Sequence, residues 1–374
     1  HLILLDMSIY LNNIISRIKE NIGTTPHTGI IIASPSSEPD YKYHWIRDSA
    51  LVMRPFLYRY ETTRSSEYFK FIMDYLEVES KLQDLSGKSG LGEPKFEIDC
   101  TPYMEEWGRP QNDGPALRGL VLIRIIHAFK HEYDVIIKNL ILPMLLKDLE
   151  YICDNYNKPS FDLWEEKYGW HWYTRMVQWK FIKESKKIIH YLDKHIQLDT
   201  LNQVSDGLIS GLKDHINGNS IISSFDINGE ISKYEDAANI LGYCHIDFDR
   251  EFLEIFPIGL LNHTVVNLID FFRSKYNMKD INYIGRYQED VYYGGQIWII
   301  CTLAVAQYYS YLYQTNKNYE HLEISHKILE KILTLDENLI LPEQFDPRDN
   351  TYYSAKKLTW NYSELFVLII NLIF

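Results

Sequence analysis

Two acidic segments far apart in the chain carry the residues best suited to proton transfer. In Phe161-Asp162-Leu163-Trp164-Glu165-Glu166, two adjacent glutamates follow one tryptophan and precede two more, Trp170 and Trp172. Side by side in an apolar aromatic setting, two carboxyls raise each other's pKa through desolvation and like charge. A carboxyl kept protonated near neutral pH is what a general acid requires. Taken alone, the pair also reads as acidic residues at a helix start, where the macrodipole favours them. The second segment, Leu341-Pro342-Glu343-Gln344-Phe345-Asp346, sets Glu343 in a Pro-punctuated loop, where most glutamates are simply solvated. Paired with Glu165 it suggests cleavage of a glycosidic bond, in which one carboxylic acid protonates the leaving oxygen and one carboxylate activates water or attacks carbon.

Three further segments offer binding chemistry. Tyr43-His44-Trp45-Ile46-Arg47-Asp48-Ser49 places a cation and an anion together after an aromatic run. That is either a salt bridge at a helix N-terminus or a donor and acceptor set for vicinal hydroxyls, which rejects ligands lacking them. Trp107 to Gly114 is a tight loop ending in a turn signal ahead of a helix, and Gly285 to Gly295 is similar. Its glycines are wrongly spaced for a phosphate loop and no GK[ST] follows. The histidines show no HExxH and no pair at ligand spacing, so no metal and no cofactor is expected. Ser223 and Ser354 lack a GxSxG context, which disfavours a serine hydrolase.

The whole chain agrees with a neutral or cationic partner. Its 374 residues carry 38 Lys and Arg against 51 Asp and Glu, a net charge of −13, which argues against nucleic acid or an anionic membrane. Aromatic residues reach 14%, and rings with one polar edge suit the apolar faces and hydroxyl rim of a sugar. Cys100, Cys153, Cys244 and Cys301 have neither CxxC nor metal spacing, and a single bridge stays open. No apolar run approaches the roughly 20 residues that span a bilayer. No signal peptide follows His1, and a chain opening on His reads as processed.

To bring the two acidic segments together, the chain uses helices. Apolar residues recur at helical spacing from Leu142 to Ile152 and from Ile324 to Ile332, and similar stretches begin near Ser8, Ser49, Ser65, Pro115, Tyr173, His195, Asp236, Val265, Gly295, Tyr319 and Asn361. That makes roughly a dozen helices, several with Ser or Asp as N-cap. The stretch Trp298 to Tyr313 is apolar nearly all round and must be enclosed by other helices, which implies two concentric layers. Strand signals are confined to Gly29 to Ala33 and a pair flanking Asn228-Gly229. No linker or composition shift marks a second domain, so one all-α domain over 1–374 is expected, with function in the loops between helices.

The segments together resemble one family, the glucoamylases of glycoside hydrolase family 15. The matching pieces are GIIIASPSSEPDYKYHWIRDSALV at 29 to 52, WGRPQNDGPALR at 107 to 118, DLWEE at 162 to 166, DAANILGYCHIDFD at 236 to 249, GRYQEDVYYGG at 285 to 295, PEQFD at 342 to 346 and SAKKLTWNYSEL at 354 to 365. They occur in the family's order and span nearly the whole chain. The resemblance implies an all-α, six-fold (α/α) barrel, a toroid of six helical hairpins in a single domain, with a pocket at one end. It implies Glu165 as general acid and Glu343 as the base activating water, with inversion of configuration. Arg47 and Asp48 would hold the terminal glucose, Arg286 the sugars either side of the scissile bond, and Glu166 the next sugar. Tyr41 would face the developing oxocarbenium, with Trp45, Trp107, Leu163, Trp164, Trp298 and Trp360 around the pocket, and Gln344 and Ser354 would position Glu343 or its water.

From this follows an exo-acting enzyme that removes single glucose units from an α-1,4-glucan or maltooligosaccharide, the two carboxyls standing about 6.5–9.5 Å apart to admit water. The sequence departs from the family at His44, Ile46, Asn112, Lys356 and Lys357, and the loss of a carboxylate at Lys357 bears on subsite preference. No starch-binding module is seen, so weak action on raw granules is expected. Family habit and two sequons, at Asn262 and Asn361, favour a secreted protein, and a monomer is expected. The alternatives are relatives acting on α-1,6 or trehalose linkages, and non-catalytic relatives: the regulatory subunits of phosphorylase kinase or a lectin-like module. Both glutamates standing in full motifs counts against the non-catalytic ones.

Overall fold

The computed structural model describes residues 2–23, 26–192 and 194–373. Among these, twelve long helices alternate between an outer and an inner layer. The outer ones are α1 (Leu2–Lys19), α3 (Ser66–Gln83), α5 (Leu142–Asn155), α7 (Leu198–Asp214), α9 (Gly259–Tyr276) and α11 (Tyr319–Leu335). The inner ones are α2 (Ile46–Thr63), α4 (Gly114–Phe129), α6 (Trp172–Lys187), α8 (Ala237–His245), α10 (Ile299–Asn316) and α12 (Thr359–Ile373). Each inner helix packs on the next, and α12 returns to α2, closing a ring that the outer helices wrap. This is the expected (α/α)6 barrel.

Local signals start and stop these helices. Ser65, Asp236 and Asn318 cap α3, α8 and α11 by accepting the N–H of Glu67, Ala238 and Glu320. Ser49, read as a start signal, instead lies inside α2, which begins at Ile46 behind the extended Trp45. Helix α10 is buried from Ile299 to Tyr308, as its all-round apolar character requires. Its first residue is Ile299, because Trp298 belongs to a strand.

Strands are more numerous than expected, and short. Gly29 to Ala33 forms no strand, only a single bridge between Ile22 and Ile31. The Asn228-Gly229 turn does join Ser224–Phe225 to Ile231–Lys233. Further two- to four-residue strands, His44–Trp45, Lys95–Phe96, Ser160–Phe161, Tyr168–His171, Ile297–Trp298, Gln344–Phe345 and Tyr352–Tyr353, all lie near the N-terminal ends of inner helices. At two residues each, most are too short to show a period in sequence.

Beneath that end, a buried polar junction ties the barrel axis together. Glu364 of α12 accepts Arg54 (2.8 Å), His245 (2.6 Å) and Trp360 (2.9 Å) on Oε1, and Gln307 (2.8 Å) on Oε2. Burial opposes its ionisation, but Arg54 and His245 overcome that and hold it well below the usual carboxylate range. A depressed folded pKa means stability that is present above the unfolded value near 4.3 and is lost as pH falls below it. Glu364→Ala, which also strands Arg54, should cost about 3–5 kcal/mol at pH 6. Thermal unfolding should show the gap to the parent narrowing below pH 4.

Candidate active site

The segments that precede the inner helices converge on one pocket of about 510 Å³. Tyr41, Trp45, Arg47, Asp48, Trp107, Leu163, Trp164, Glu165, Glu166, Arg286, Trp298, Glu343 and Trp360 all line it.

Glu165 sits in a turn between strands Ser160–Phe161 and Tyr168–His171, not at a helix start. Asp162 Oδ1 ties the turn by accepting the N–H groups of Glu166 (2.8 Å) and Lys167 (2.9 Å). Glu165 itself has a φ of 67°, a left-handed conformation uncommon outside glycine. Its Oε2 accepts Trp107 Nε1 at 2.6 Å, Gln111 Nε2 at 2.6 Å and Trp45 Nε1 at 3.1 Å. Oε1 has one longer contact, with Trp45 Nε1 at 3.2 Å.

The backbone of Glu165 is fixed from behind by Gly108. A Cβ there would stand 2.9 Å from Phe161 Cδ1 and 3.0 Å from the Glu165 carbonyl oxygen. Gly108→Ala should therefore displace the turn, and displacements of about 1 Å cost on the order of 10²-fold in rate. The check is kcat beside an unchanged helical circular dichroism signal.

The expected mutual influence of Glu165 and Glu166 gives way to a different arrangement. Their carboxyls part: Glu166 accepts Arg286 Nη1 at 2.8 Å and the Tyr287 hydroxyl at 2.9 Å. Burial raises Glu166, against the pull of Arg286. The aromatic setting is also built differently, since Trp172 packs in the core against Phe252 and Phe256 and does not reach the pocket. Arg286 is gripped by Asp290 through two bonds, Nε at 2.8 Å and Nη2 at 2.7 Å, and its guanidinium lies 4.8 Å from the Trp298 ring centre. Trp164 is held by its N–H to Asp236 at 2.9 Å, so the cap of α8 also orients a pocket wall.

Glu343 is 3% exposed. Its Oε1 accepts the Ser354 hydroxyl at 2.6 Å and Tyr41 Oη at 3.3 Å, and Tyr41 in turn meets Tyr292 Oη at 2.9 Å. Burial pushes Glu343 up to about 7, with Ser354 and Arg286 opposing. Asp48 is likewise raised to about 7 by burial, with Arg47 opposing. The Arg47–Asp48 pair is looser than its sequence adjacency suggests, 3.8 Å from Nε to Oδ1. Arg47 gives its short bonds to Asp113 (2.9 Å) and Gln111 (3.0 Å).

Gln344 is the one expected binding residue with no place at the pocket or on Glu343. Strand geometry turns it to the other side of the chain, where Oε1 accepts the Gln296 N–H at 3.2 Å. Ser354 does not line the pocket either, but it does reach Glu343. The departures His44, Ile46, Asn112, Lys356 and Lys357 also stand away from the pocket. His44 donates to Glu79 (2.6 Å), since its other ring nitrogen accepts the Ile31 N–H, and Lys357 pairs with Glu20. Asn361 is fully buried and donates to Pro342 O at 2.7 Å, so this sequon is closed to a glycan in the folded chain. All four cysteines are free thiols.

Sequence reasoning missed Lys95, Tyr43, Tyr103 and Tyr292, which line the pocket too. Lys95 Nζ stands 3.3 Å from the Trp107 ring centre and 4.2–4.8 Å from those of Tyr103, Tyr43 and Trp45. Desolvation lowers it to about 8, with Glu165 opposing. A lysine in GLGEPKF carries no spacing signal. Tyr292, in contrast, lies inside the GRYQEDVYYGG segment and could have been named from it.

Comparison with known proteins agrees over nearly the whole chain. A family model described as glycosyl hydrolases family 15 matches residues 6–370. Glucoamylase-1 of Arthroderma benhamiae is 34% identical over 314 residues, covering 77% of this chain and 50% of its own length. Glucoamylase S2 of Saccharomyces cerevisiae is 30% identical, covering 84% and 46%. The chain thus spans about half the length of these curated relatives. Among solved structures, a family 15 glucoamylase from Hypocrea jecorina superposes with a TM-score of 0.84 at 28% identity, covering 98% of this chain and 70% of that one. Glucoamylase from Saccharomycopsis fibuligera has the same fold, with a TM-score of 0.87 at 24% identity, covering 98% and 94%.

Proposed function

The chain belongs to the glycosyl hydrolases of family 15, and on that premise we propose that it removes terminal α-1,4-linked glucose from the non-reducing ends of glucans and maltooligosaccharides, releasing β-glucose. The observation that carries this reading is the placing of two carboxyls with different surroundings in one pocket: Glu165 among indole and amide donors, Glu343 among hydroxyls.

In this mechanism Glu165 protonates the leaving glycosidic oxygen from Oε1, because Oε2 is already occupied by two short N–H contacts. As the C–O bond breaks, water attacks the anomeric carbon from the opposite face and passes its proton to Glu343. A base whose pKa is raised by burial takes that proton more readily than an ordinary carboxylate. Arg47, Asp48 and Arg286 supply donors and acceptors for sugar hydroxyls, and the tryptophans supply flat apolar walls. All these groups come from one chain, so we propose that a monomer suffices.

Proton NMR of the protein with maltoheptaose tests the reading. Early β-glucose and shortening by one unit at a time are expected. No product from maltoheptaose, with turnover of isomaltose or trehalose, would move the activity to those linkages. No product from any of the three would favour a non-catalytic relative.

We also propose that the protein acts outside the cell, although one relative is named an intracellular, sporulation-specific glucoamylase. Asn262 is the exposed sequon, on α9. A glycan removable from Asn262 in the native protein is expected, and a bare Asn262 would count against that address.

A further inference from the structure

Trp45 owes its place to its backbone. Among the described residues its indole N–H bonds only to the two Glu165 oxygens, and its ring meets Tyr41 and Tyr43 edge-on, at 5.6 and 5.9 Å between centres. The backbone that carries it is the two-residue strand His44–Trp45, whose sheet has one other strand, Lys95–Phe96. A two-stranded ladder of that length has little stability of its own, so the strand needs an anchor from outside the sheet.

His44, one of the departures from the family, supplies that anchor. Successive side chains of a strand point to opposite faces, so with the indole at the pocket the imidazole enters the packing behind it, where it is fully buried. There one ring joins four segments. Its Nε2–H donates to Glu79 Oε1 on α3 at 2.6 Å, while Nδ1 accepts the Ile31 N–H at 3.0 Å and the hydroxyl of Ser49, near the start of α2, at 3.2 Å. Glu79 is itself fixed: its Oε2 accepts Arg118 Nη1 of α4 at 3.0 Å, and Arg118 makes two bonds to Asp148 of α5, at 2.8 and 2.6 Å. Glu79, Arg118 and Asp148 are each at most 1% exposed. A row of charges so enclosed is held tightly, because moving one member leaves another buried without its partner.

We propose that His44 is a positioning residue for the acid step: through the backbone of its strand it holds the Trp45 N–H on Glu165 and so aims the carboxyl at the leaving oxygen. Glu165 Oε2 is tethered by Trp107 and Gln111, but the carboxyl can still swing about that oxygen. The Trp45 N–H, shared between both oxygens at 3.1 and 3.2 Å, stops the swing and keeps Oε1 facing the bond to be cleaved. This rests on the reading of Glu165 as the general acid of an α-glucan hydrolase.

The test is His44→Gln, assayed on maltose and on α-glucosyl fluoride. Glutamine keeps a donor for Glu79 but has no second atom where Nδ1 accepts the Ile31 N–H, so the buried charges stay paired while the strand is released. Fluoride departs without a proton, so a fault in aim shows on maltose alone. There kcat should fall about 10- to 100-fold, as a displacement approaching 1 Å does, with KM within a few-fold and the fluoride rate within about threefold of the parent. In a Trp45→Phe background, which lacks the N–H, His44→Gln should change the ratio of the two rates no further. Equal losses on both substrates, no loss on maltose, or a second full loss in the Trp45→Phe background would overturn the assignment. Should circular dichroism show His44→Gln unfolded, Ser49→Ala takes its place. It removes one of the two donors to Nδ1, suits a helix, and should move the same ratio in the same direction by about two- to fivefold, an unmoved ratio counting against the proposal. If the unsubstituted protein leaves maltose intact, the α-glucan reading fails and takes this assignment with it, whereas a loss shared equally by the two substrates overturns the assignment alone.

Discussion

Glu343→Gln should lower kcat on maltoheptaose by about 10²–10⁴-fold and leave KM within a few-fold of the parent, because a general base, the role proposed for Glu343, acts in the transition state and adds little to ground-state binding. The amide keeps the shape of the carboxylate and can still accept the Ser354 hydroxyl. What it cannot do is take a proton from water. The same substitution should stabilise the protein. Burial raises the folded pKa of Glu343 to about 7, whereas the unfolded value is near 4.3. A carboxyl raised in this way supports the fold below its unfolded pKa and withdraws that support as pH climbs towards the folded value. Ionising it inside the pocket at pH 7 costs on the order of 2–3 kcal/mol, which Glu343→Gln removes. Unfolding curves at pH 4 and pH 7 check this: the variant should gain at pH 7 and differ little at pH 4. A loss of rate with no gain in stability at pH 7 would mean that Glu343 is not buried as a lone acid.

Glu165→Gln should lose a similar factor on maltose, but the loss should depend on the leaving group. A glycosidic oxygen needs a proton to depart, whereas fluoride does not. The variant should therefore keep most of its rate on α-glucosyl fluoride while losing about 10²–10⁴-fold on maltose. The carbonyl oxygen of the new amide can still accept the Trp107 and Gln111 N–H groups, so pocket geometry survives the change. Equal losses on both substrates would assign Glu165 a binding role and leave the acid to be found elsewhere. Both experiments read the roles of the two carboxyls independently of their separation.

The helices were legible because their apolar faces repeat. The run from Leu142 to Ile152 became α5, and the all-round apolar stretch became α10 at the heart of the ring. Caps at Ser65 and Asp236 were read from residue type alone, since a short oxygen-bearing side chain before a helix has a local role. Ser49 failed as a cap because tertiary packing carried the helix back to Ile46. Gly29 to Ala33 failed as a strand because its β-branched run is consumed by packing and makes only one bridge.

By itself the sequence determined the helical architecture, through period and caps, and singled out the two carboxylates proposed as acid and base, through motifs that stay contiguous along the chain. Only the tertiary structure decided which groups act on those carboxylates. The donors to Glu165 come from Trp45, Trp107 and Gln111, and those to Glu343 from Tyr41 and Ser354. It also decided that Glu165 and Glu166 part company, that Gln344 faces away, and that Lys95 belongs to the pocket at all. The physical reason is one of range. Helix formation and capping act within a few residues, whereas desolvation and hydrogen bonding in a pocket act between residues that only the closing of the ring brings together.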